Sequence, residues 1–339
     1  MLDDRAILED ELLELLDVFD TVAAQAIDRP RAERPRRIAD DGQHRGVVSV
    51  ERHGRVHVIG VHGFVSGHDD LLERHLRGDA DAERLDRIDG VEALICDVTD
   101  DAQVARLRAA VDARADGLWG IVHNAGIAHL GPLATTSLDD MRAVFEVNVF
   151  GVHRVTNALS DLIVASRGRL VTMSSIAGTL SSTPLGTYAM TKHALEAYTD
   201  SLAKQLAPLG VHVCAVVPGN FASALARNAV ERFAPPADAS EELKASCAPD
   251  ADTSRSEFPS PAPVAAACHA ALFDEAPLTR YLVVPIAEEA DRTLEQAAHE
   301  WARLNASTPH RWSTERLVAE VDTDRSSTPG PSGTTDRRA

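Results

Sequence analysis

The sequence has little lysine and no excess of positive charge. Its 339 residues include three lysines, Lys192, Lys204 and Lys244, against thirty-one arginines, and its formal net charge is −18. Nucleic acids and anionic membranes repel a protein of this charge. The charge balance therefore argues against both classes as main partners.

Paired cysteines and long apolar runs are also missing. The four cysteines are scattered and show no Cys-x-x-Cys spacing, which predicts reduced thiols in a cytoplasmic protein. The first residues, MLDDRAILEDELLELL, are acidic, unlike the basic start of a signal peptide. No run approaches the roughly 18 apolar residues of a membrane span. We therefore expect a cytoplasmic location.

Composition divides the chain into three parts. Residues 1–45 combine an acidic amphipathic helix at 2–27 with a charged, proline-containing linker. Residues 46–305 are expected to form the main domain, and their first segment, 46–61, fits an antiparallel hairpin as well as a single strand. Residues 306–339 are predicted to be a largely disordered tail, because their end is rich in Ser, Thr, Pro and Gly.

From about residue 80 the chain alternates between predicted strands and helices. Each strand is a nearly continuous apolar run, which is typical of a parallel sheet with helices on both faces. We therefore predict an α/β fold, a single domain with a doubly wound, mostly parallel sheet and an atypical amino-terminal extension. Strands are expected at 91–98, 117–126, 168–175, 211–219 and 279–286, and helices at 80–88, 100–115, 137–159, 187–204 and 287–304. Ser137 is the expected N-cap of the helix at 137–159.

Residues 220–262 lack a strong period and carry several prolines, serines and acids. An irregular stretch of this length inside a compact domain is often a lid or a binding loop. We interpret it as a substrate lid in which Phe221, Phe233 and Phe258 line an apolar substrate. The alternative is a solvated insertion with three ordinary packing aromatics.

Three polar side chains fall near the predicted carboxyl edge of the sheet, where open parallel sheets bind ligands. Ser175 ends the strand 168–175, Tyr188 opens the next helix, and Lys192 lies one turn later on the same helix face. A free tyrosine has a pKa of about 10, and a cation one turn away lowers that pKa by favouring the phenolate. Tyr188 can therefore act as a general acid/base on an oxygen held by the serine hydroxyl.

These residues belong to a larger set of motifs: HNAG (123–126), Asn148 in EVNVFG, MSS ending at Ser175, YAMTK (188–192) and VVPGNFAS (216–223). In their order and approximate spacing, over about residues 80–290, the chain resembles the short-chain dehydrogenases/reductases. The resemblance implies a Rossmann-like fold and an NAD(P)-dependent enzyme that interconverts an alcohol and a ketone or aldehyde by hydride transfer. The PGNF motif is similar to the branch acting on retinol, hydroxysteroids and hydroxybutyrate, which favours a secondary alcohol or ketone.

The resemblance also implies roles for single residues. Tyr188 is the general acid/base, Lys192 lowers its pKa and binds the nicotinamide ribose, and Ser175 orients the substrate oxygen. Asn148 holds a water that continues a proton relay to Lys192. The expected cofactor contacts are Gly63 and Gly67 at the phosphates, Asp97 and Val98 by the adenine, Asn124, Ala125 and Gly126 along the cofactor, Pro218 and Gly219 beside the nicotinamide, Ser223 at the carboxamide, and Tyr188 and Lys192.

The sequence also allows predictions about assembly and about metal binding. Members of the family usually pair through helices that correspond to 137–159 and 187–207, so we expect a homodimer or homotetramer. Six histidines lie between His44 and His75, but their spacings match no metal-ligand pattern. We therefore predict no metal site.

The phosphate loop departs from the family pattern. Its nearest match is HGFVSGHD (62–69), which keeps Gly63 and Gly67 but has Asp69 in place of the third glycine. An aspartate is electrostatically unfavourable where a helix N-terminus should receive a pyrophosphate. A milder departure is His123, which replaces the usual asparagine.

The stretch after the phosphate loop is also short. Between Gly67 and Ala80 there is no room for the first helix, a loop and the second strand, whose end normally selects NAD or NADP. Three interpretations follow: a variant with a rebuilt phosphate loop, a non-catalytic relative, or a reading-frame disruption upstream of residue 79. The second corresponds to a different function, a catalytically impaired binding or scaffold protein.

Overall fold

The computed structural model describes residues 46–53, 56–63, 91–114, 118–223, 225, 229, 240–247 and 258–327. Several predictions fall on other residues: the acidic helix and linker before residue 46, the helix at 80–88, and the contacts of Gly67 and Phe233. They lie outside the described residues and stay predictions.

The described strands form one seven-stranded sheet in the order β3-β1-β2-β4-β5-β6-β7. Every strand except β1 runs in the same direction. The predicted doubly wound, mostly parallel sheet is therefore confirmed. The strands are β1 (Gly46–His53), β2 (Val56–Gly63), β3 (Val91–Cys96), β4 (Gly120–His123), β5 (Arg169–Met173), β6 (His212–Pro218) and β7 (Arg280–Val283).

The first two strands form an antiparallel hairpin, so the hairpin interpretation of 46–61 is confirmed. Gly46 is paired with Gly63 at its open end and His53 with Val56 at its turn. β1 also pairs antiparallel with β3, while β2 pairs parallel with β4. The sequence left no room for a second strand between Gly67 and Ala80, and in the sheet β1 lies between β2 and β3, where that strand would stand.

Helices cover both faces of this sheet. The predicted helices at 100–115, 137–159, 187–204 and 287–304 are all present, whereas the helix at 262–273 was not predicted. The bounds are α1 (Asp101–Arg114), α2 (Leu138–Phe145), α3 (Val152–Ser166), α4 (Gly186–Leu206), α5 (Glu241–Cys247), α6 (Ala262–Phe273), α7 (Ala287–Ser307) and α8 (Thr314–Ser327).

Local sequence signals explain where the central helices begin and end. Ser137 caps α2 by accepting a hydrogen bond from the Asp140 N–H at 3.0 Å, as predicted from the sequence. α3 ends at Arg167, whose φ of 47° is left-handed, and Gly168 follows. A Cβ on Gly168 would lie 2.2 Å from the Trp119 carbonyl oxygen, so only glycine allows this close approach.

The core consists of two apolar clusters, one on each face of the sheet. Successive residues of a strand point to opposite faces, and accordingly Leu170 of β5 belongs to one cluster and Val171 to the other. The first cluster includes Leu107 of α1 and Leu159 of α3, and the second includes Leu272 of α6. This division is what a doubly wound sheet requires.

The end of the chain differs from the expectation. Residues 306–339 were predicted to be largely disordered, but α8 occupies Thr314–Ser327 within that range. Ser313 begins this helix, because its Oγ accepts the Arg316 N–H at 3.2 Å and its carbonyl accepts the Leu317 N–H. Neither α8 nor any other helix of the described residues is long and apolar enough to cross a bilayer.

Candidate active site

The residues that follow the parallel strands meet at the carboxyl edge of the sheet. Asn124 follows β4, Ser174 and Ser175 follow β5, and Gly219 follows β6. Since these three strands are neighbours in parallel register, their ends lie side by side. α4 returns from this edge, and Tyr188 lies in its first turn.

Lys192 is buried and held by the strand beneath it. The residue is 4% exposed, and Nζ donates a hydrogen bond to the Met173 carbonyl at 2.7 Å. The same Nζ lies 5.4 Å from the centre of the Tyr188 ring. Burial lowers the pKa of Lys192 to about 8, and the negative charge of Glu196 opposes that shift. An ammonium has three N–H donors, and two remain after the bond to Met173.

Ser175 connects two strand ends. Its Oγ accepts the Ala177 N–H at 3.2 Å and donates to the Pro218 carbonyl at 3.5 Å, a long contact. The hydroxyl is therefore loosely held and can turn toward another acceptor. Tyr188 is 8% exposed, so its ring is surrounded by protein.

Asn148 lies in a π-helical turn, Glu146–Gly151, between α2 and α3. It is fully buried and accepts the Ile127 N–H at 2.8 Å. Its two N–H donors are used by the Ile127 carbonyl and the Thr191 hydroxyl, each at 2.9 Å. Thr191 in turn donates to the Tyr188 carbonyl at 2.7 Å. Asn148 therefore connects α4 to the loop after β4, and π-turns of this kind are frequent at functional sites.

The predicted adenine contacts, Asp97 and Val98, directly follow β3. Both are buried, and Asp97 Oδ1 accepts the Thr99 N–H and hydroxyl at 2.8 and 2.7 Å. The Val98 carbonyl accepts Arg154 Nη1 of α3 at 2.8 Å. This loop is therefore fixed to the helix behind it.

Gly126, one of the predicted contacts after β4, lies close to the segment interpreted as a lid. A Cβ on Gly126 would be 3.6 Å from Asn148 Oδ1 and 3.7 Å from Leu225 Cδ1, so a residue of the predicted lid covers this loop. Within the same segment Phe221 is 6% exposed and packs in the core cluster of β6 and α6. For Phe221 the ordinary packing interpretation is therefore correct.

The turn after β6 is fixed by a carboxylate that the sequence reading missed. Glu289 is 7% exposed, and its two oxygens accept the Asn220 N–H at 2.9 Å and the Asn220 side chain at 2.8 Å. A Cβ on Gly219 would lie 2.0 Å from Glu289 Oε2, so this position requires glycine. Pro218 contacts Ser175 as described, and Ser223 is half-buried at the start of the lid.

Of the two predicted phosphate contacts, Gly63 is among the described residues, and it is the last residue of β2. It lies at the carboxyl edge, two residues beyond the pair Val61 and His123. The structure therefore brings Gly63 to the same edge as Asn124, Ser175 and Pro218.

Three polar residues near the site were not predicted: Thr191, Glu196 and Glu289. Thr191 lies three residues after Tyr188 and Glu196 four residues after Lys192, so helical spacing within α4 could have identified both. Glu289 comes from a helix 69 residues beyond Asn220, and no local signal connects the two.

His123 stands where the family usually has asparagine, whose side chain does not ionise. It is 3% exposed, its Nε2 lies 2.9 Å from the Thr156 hydroxyl, and burial lowers its pKa to about 3. The imidazole is therefore neutral in the folded protein. No group of three or more candidate metal ligands occurs among the described residues.

Comparisons with known proteins extend these observations. A family model described as enoyl-(acyl carrier protein) reductase matches residues 71–257. The mitochondrial D-β-hydroxybutyrate dehydrogenase of Bos taurus is 37% identical over 145 residues, 42% of this chain and 42% of that protein. Retinol dehydrogenase 16 of Rattus norvegicus is 40% identical over 136 residues, 39% of this chain and 43% of that protein. The chain thus matches these relatives over less than half of their length.

One solved structure shares both fold and sequence similarity. A short-chain dehydrogenase from Streptomyces avermitilis matches with a TM-score of 0.54 and 29% identity, over 67% of this chain and 86% of that chain. The similarity therefore extends beyond the central motifs to most of the sheet and its helices.

Proposed function

The chain belongs to the short-chain dehydrogenase/reductase family, and we propose that it is an NAD(P)-dependent oxidoreductase that interconverts an alcohol and a ketone or aldehyde. The observation that carries this proposal is the buried Lys192, which is held 5.4 Å from the Tyr188 ring and retains two N–H donors. A buried cation beside a phenol favours the phenolate. That arrangement is what a general acid/base for a hydroxyl group needs.

The residues divide the chemistry between them. In alcohol oxidation the Ser175 hydroxyl orients the substrate oxygen, the Tyr188 phenolate removes its proton, and the Lys192 ammonium stabilises the phenolate. When bound, the nicotinamide takes up the hydride that leaves the substrate carbon, or supplies it in the reverse reaction. The proton on Tyr188 then passes toward Lys192 and a water at Asn148. Because both side-chain donors of Asn148 are engaged, that water must bind an acceptor oxygen of Asn148.

The cofactor is NAD or NADP. Two free donors on Lys192 fit the hydroxyls of the nicotinamide ribose, and Pro218 and Gly219 at the end of β6 stay our proposed contacts to the nicotinamide. Gly63 and the loop at Asn124 and Gly126 border the path toward the phosphates. Asp97 and Val98 stay our proposed adenine contacts.

The substrate is a small secondary alcohol or its ketone. Relatives named as hydroxybutyrate and 3β-hydroxysteroid dehydrogenases support this class, whereas the relative named as a retinol dehydrogenase acts on a primary alcohol. These relatives and the Ser175–Tyr188–Lys192 arrangement favour an enzyme over a scaffold protein.

Turnover tests the proposal. Purified protein is offered 3-hydroxybutyrate, retinol and hydroxysteroids with NAD and NADP, and reduced cofactor is measured by absorbance. We expect turnover of at least one alcohol, and Tyr188→Phe should abolish it while Tyr198→Phe, at a half-buried position further along α4, should retain it. Equal turnover in Tyr188→Phe and the native protein would contradict the assigned mechanism.

We also propose a homodimer or homotetramer, assembled through α2, α3 and α4 in the cytoplasm. Exposed apolar side chains on these helices and on the π-helical turn between α2 and α3 support the interface: Leu138 is 59% exposed, Phe150 51% and Met190 40%. Light scattering should give at least twice the mass of 36.4 kDa, and a monomer would contradict the assembly. Cell fractionation tests the location.

A further inference from the structure

Glu196 lies one helical turn beyond Lys192, on the side away from Tyr188. Its Oε2 accepts Arg280 Nε of β7 at 2.6 Å, while its Oε1 is buried and has no hydrogen-bond partner among the described residues. An unpaired buried carboxylate oxygen is costly unless a nearby cation compensates its charge. Lys192 is the buried cation on the same helix face.

The space around Glu196 is closed by a glycine. A Cβ on Gly178 would lie 3.0 Å from Glu196 Cγ and 2.9 Å from the hydroxyl of Ser174, which is also buried and unpartnered among the described residues. Gly178 follows Ser175 in the turn that packs on α4. The carboxylate is therefore packed beneath the turn that carries the serine hydroxyl.

We infer that Glu196 is a positioning residue that keeps Lys192 in its ammonium form beside Tyr188. Arg280 opposes this influence from the far side, because its guanidinium binds Glu196 at 2.6 Å; it also donates to the exposed Asp200 at 2.6 Å. The catalytic consequence rests on the proposed function, but the charge of Lys192 does not.

Other charges near α4 are neutralised or distant. Among the described residues, Glu196 is the charged group that opposes the lowering of the Lys192 pKa by burial. Glu146 of the π-turn is paired with Arg154 at 2.8 Å, and burial raises the pKa of Cys214 in β6 to about 12, so that thiol is neutral. The titratable groups Asp139, Asp140 and Arg142 of α2 and His153 of α3 are exposed to solvent.

The chain offers a direct measurement, because it has only three lysines. Protein labelled with ¹³C-lysine gives three ε-carbon signals, assigned with Lys204→Arg and Lys244→Arg. The pH titration of the Lys192 signal needs neither cofactor nor substrate. Loss of turnover would therefore leave this test intact, and the two proposals can fail separately.

The expected midpoint for Lys192 in the native protein is about 8. Glu196→Gln should move it about half a unit or more to lower pH, because one negative charge near a buried ammonium is lost. Glu196→Asp should restore most of the native midpoint. Arg280→Gln should move it to higher pH, because Glu196 then loses its competing cation.

Asp200→Asn is the matched control, since it removes a 59% exposed carboxylate from the same network and should leave the midpoint unchanged. A role in stability alone predicts unfolding at lower temperature in Glu196→Gln without any change of midpoint. That result, or movement in the same direction for Glu196→Gln and Arg280→Gln, would overturn the inference.

Discussion

The two halves of the sheet are built by different rules. In the catalytic half, β4 to β7, every strand lies beside the next one along the chain and runs parallel to it. In the nucleotide half, β1 to β3, the hairpin places β1 between β2 and β3 in the opposite direction. The place of a parallel strand can therefore be filled by an antiparallel one without changing the directions of its neighbours.

This difference affects the cofactor edge. At that edge β2 and β3 end, at Gly63 and Cys96, but β1 begins, at Gly46. The carboxyl end of β1 lies at the opposite edge and cannot select between NAD and NADP. The hairpin agrees with the interpretation of a rebuilt nucleotide half, while the reading-frame hypothesis stays a prediction that the neighbouring frames of the gene can test.

The largest expected effect is a loss of turnover caused by a change in the catalytic half alone. Ser175→Ala removes the hydroxyl that orients the substrate oxygen and should lower kcat about 100-fold or more. Exposed Ser181→Ala is the control and should keep native kcat. NADH or NADPH affinity should change little in either variant, and a native kcat in Ser175→Ala would contradict the role of Ser175.

A covalent bond can test the nucleotide half. Val48 is directly opposite Val61 in the hairpin, so Val48→Cys with Val61→Cys should form a disulfide and raise stability by about 3 kcal/mol. Val48→Cys with Ile59→Cys is the control, since the register pairs Ile59 with Val50 instead. Mass spectrometry and urea unfolding provide the readouts. Equal crosslinking of both pairs would contradict the hairpin register.

A single methyl group added at Gly219 can disturb the turn after β6. Gly219→Ala forces a carbon against Glu289 Oε2 and should cost about 1–3 kcal/mol in the free energy of unfolding. In Gly126→Ala the nearest atom would be 3.6 Å away, so the cost should be below about 0.5 kcal/mol. Urea unfolding of both variants measures the contrast, and similar costs would argue against the Glu289 contact.

The smallest effect depends on pH. His123 has a pKa of about 3 when folded and about 6.5 when unfolded, so the unfolded chain alone takes up a proton between these values. Stability present above pH 6.5 is therefore lost as the pH falls, by about 2 kcal/mol at pH 5. His123→Asn should remove this loss.

Urea unfolding at pH 7 and pH 5 measures this effect, and exposed His299→Asn serves as the control. The stability difference between His299→Asn and the native protein should be the same at both pH values. A difference for His123→Asn that is also independent of pH would show that the pKa of His123 is not lowered by folding.

The sequence predicted the catalytic half well because its signals are local. Apolar runs marked β4, β5 and β6, Ser137 marked the start of α2, and the spacing of Tyr188 and Lys192 fixed both on one face of α4. The nucleotide half could not be predicted in the same way. Which strands become neighbours there depends on contacts across the sheet. No local pattern within 46–61 indicates that β3 will pair with β1.

The residues that support the site show the same limit. Glu196 was within reach of helical spacing from Lys192, but the contact of Glu289 with Asn220 joins segments 69 residues apart. Local pattern thus identifies reacting groups more readily than the groups that hold them.

The central claim is that this chain, with its rebuilt nucleotide half, binds a nicotinamide cofactor at Lys192. Fluorescence titration with NADH and with NADPH tests it most directly, using Lys192→Met as the matched variant. We predict saturable binding of at least one nucleotide to the native protein and clearly weaker binding to Lys192→Met. Failure of both nucleotides to bind, or equal affinity in the two proteins, would contradict the account.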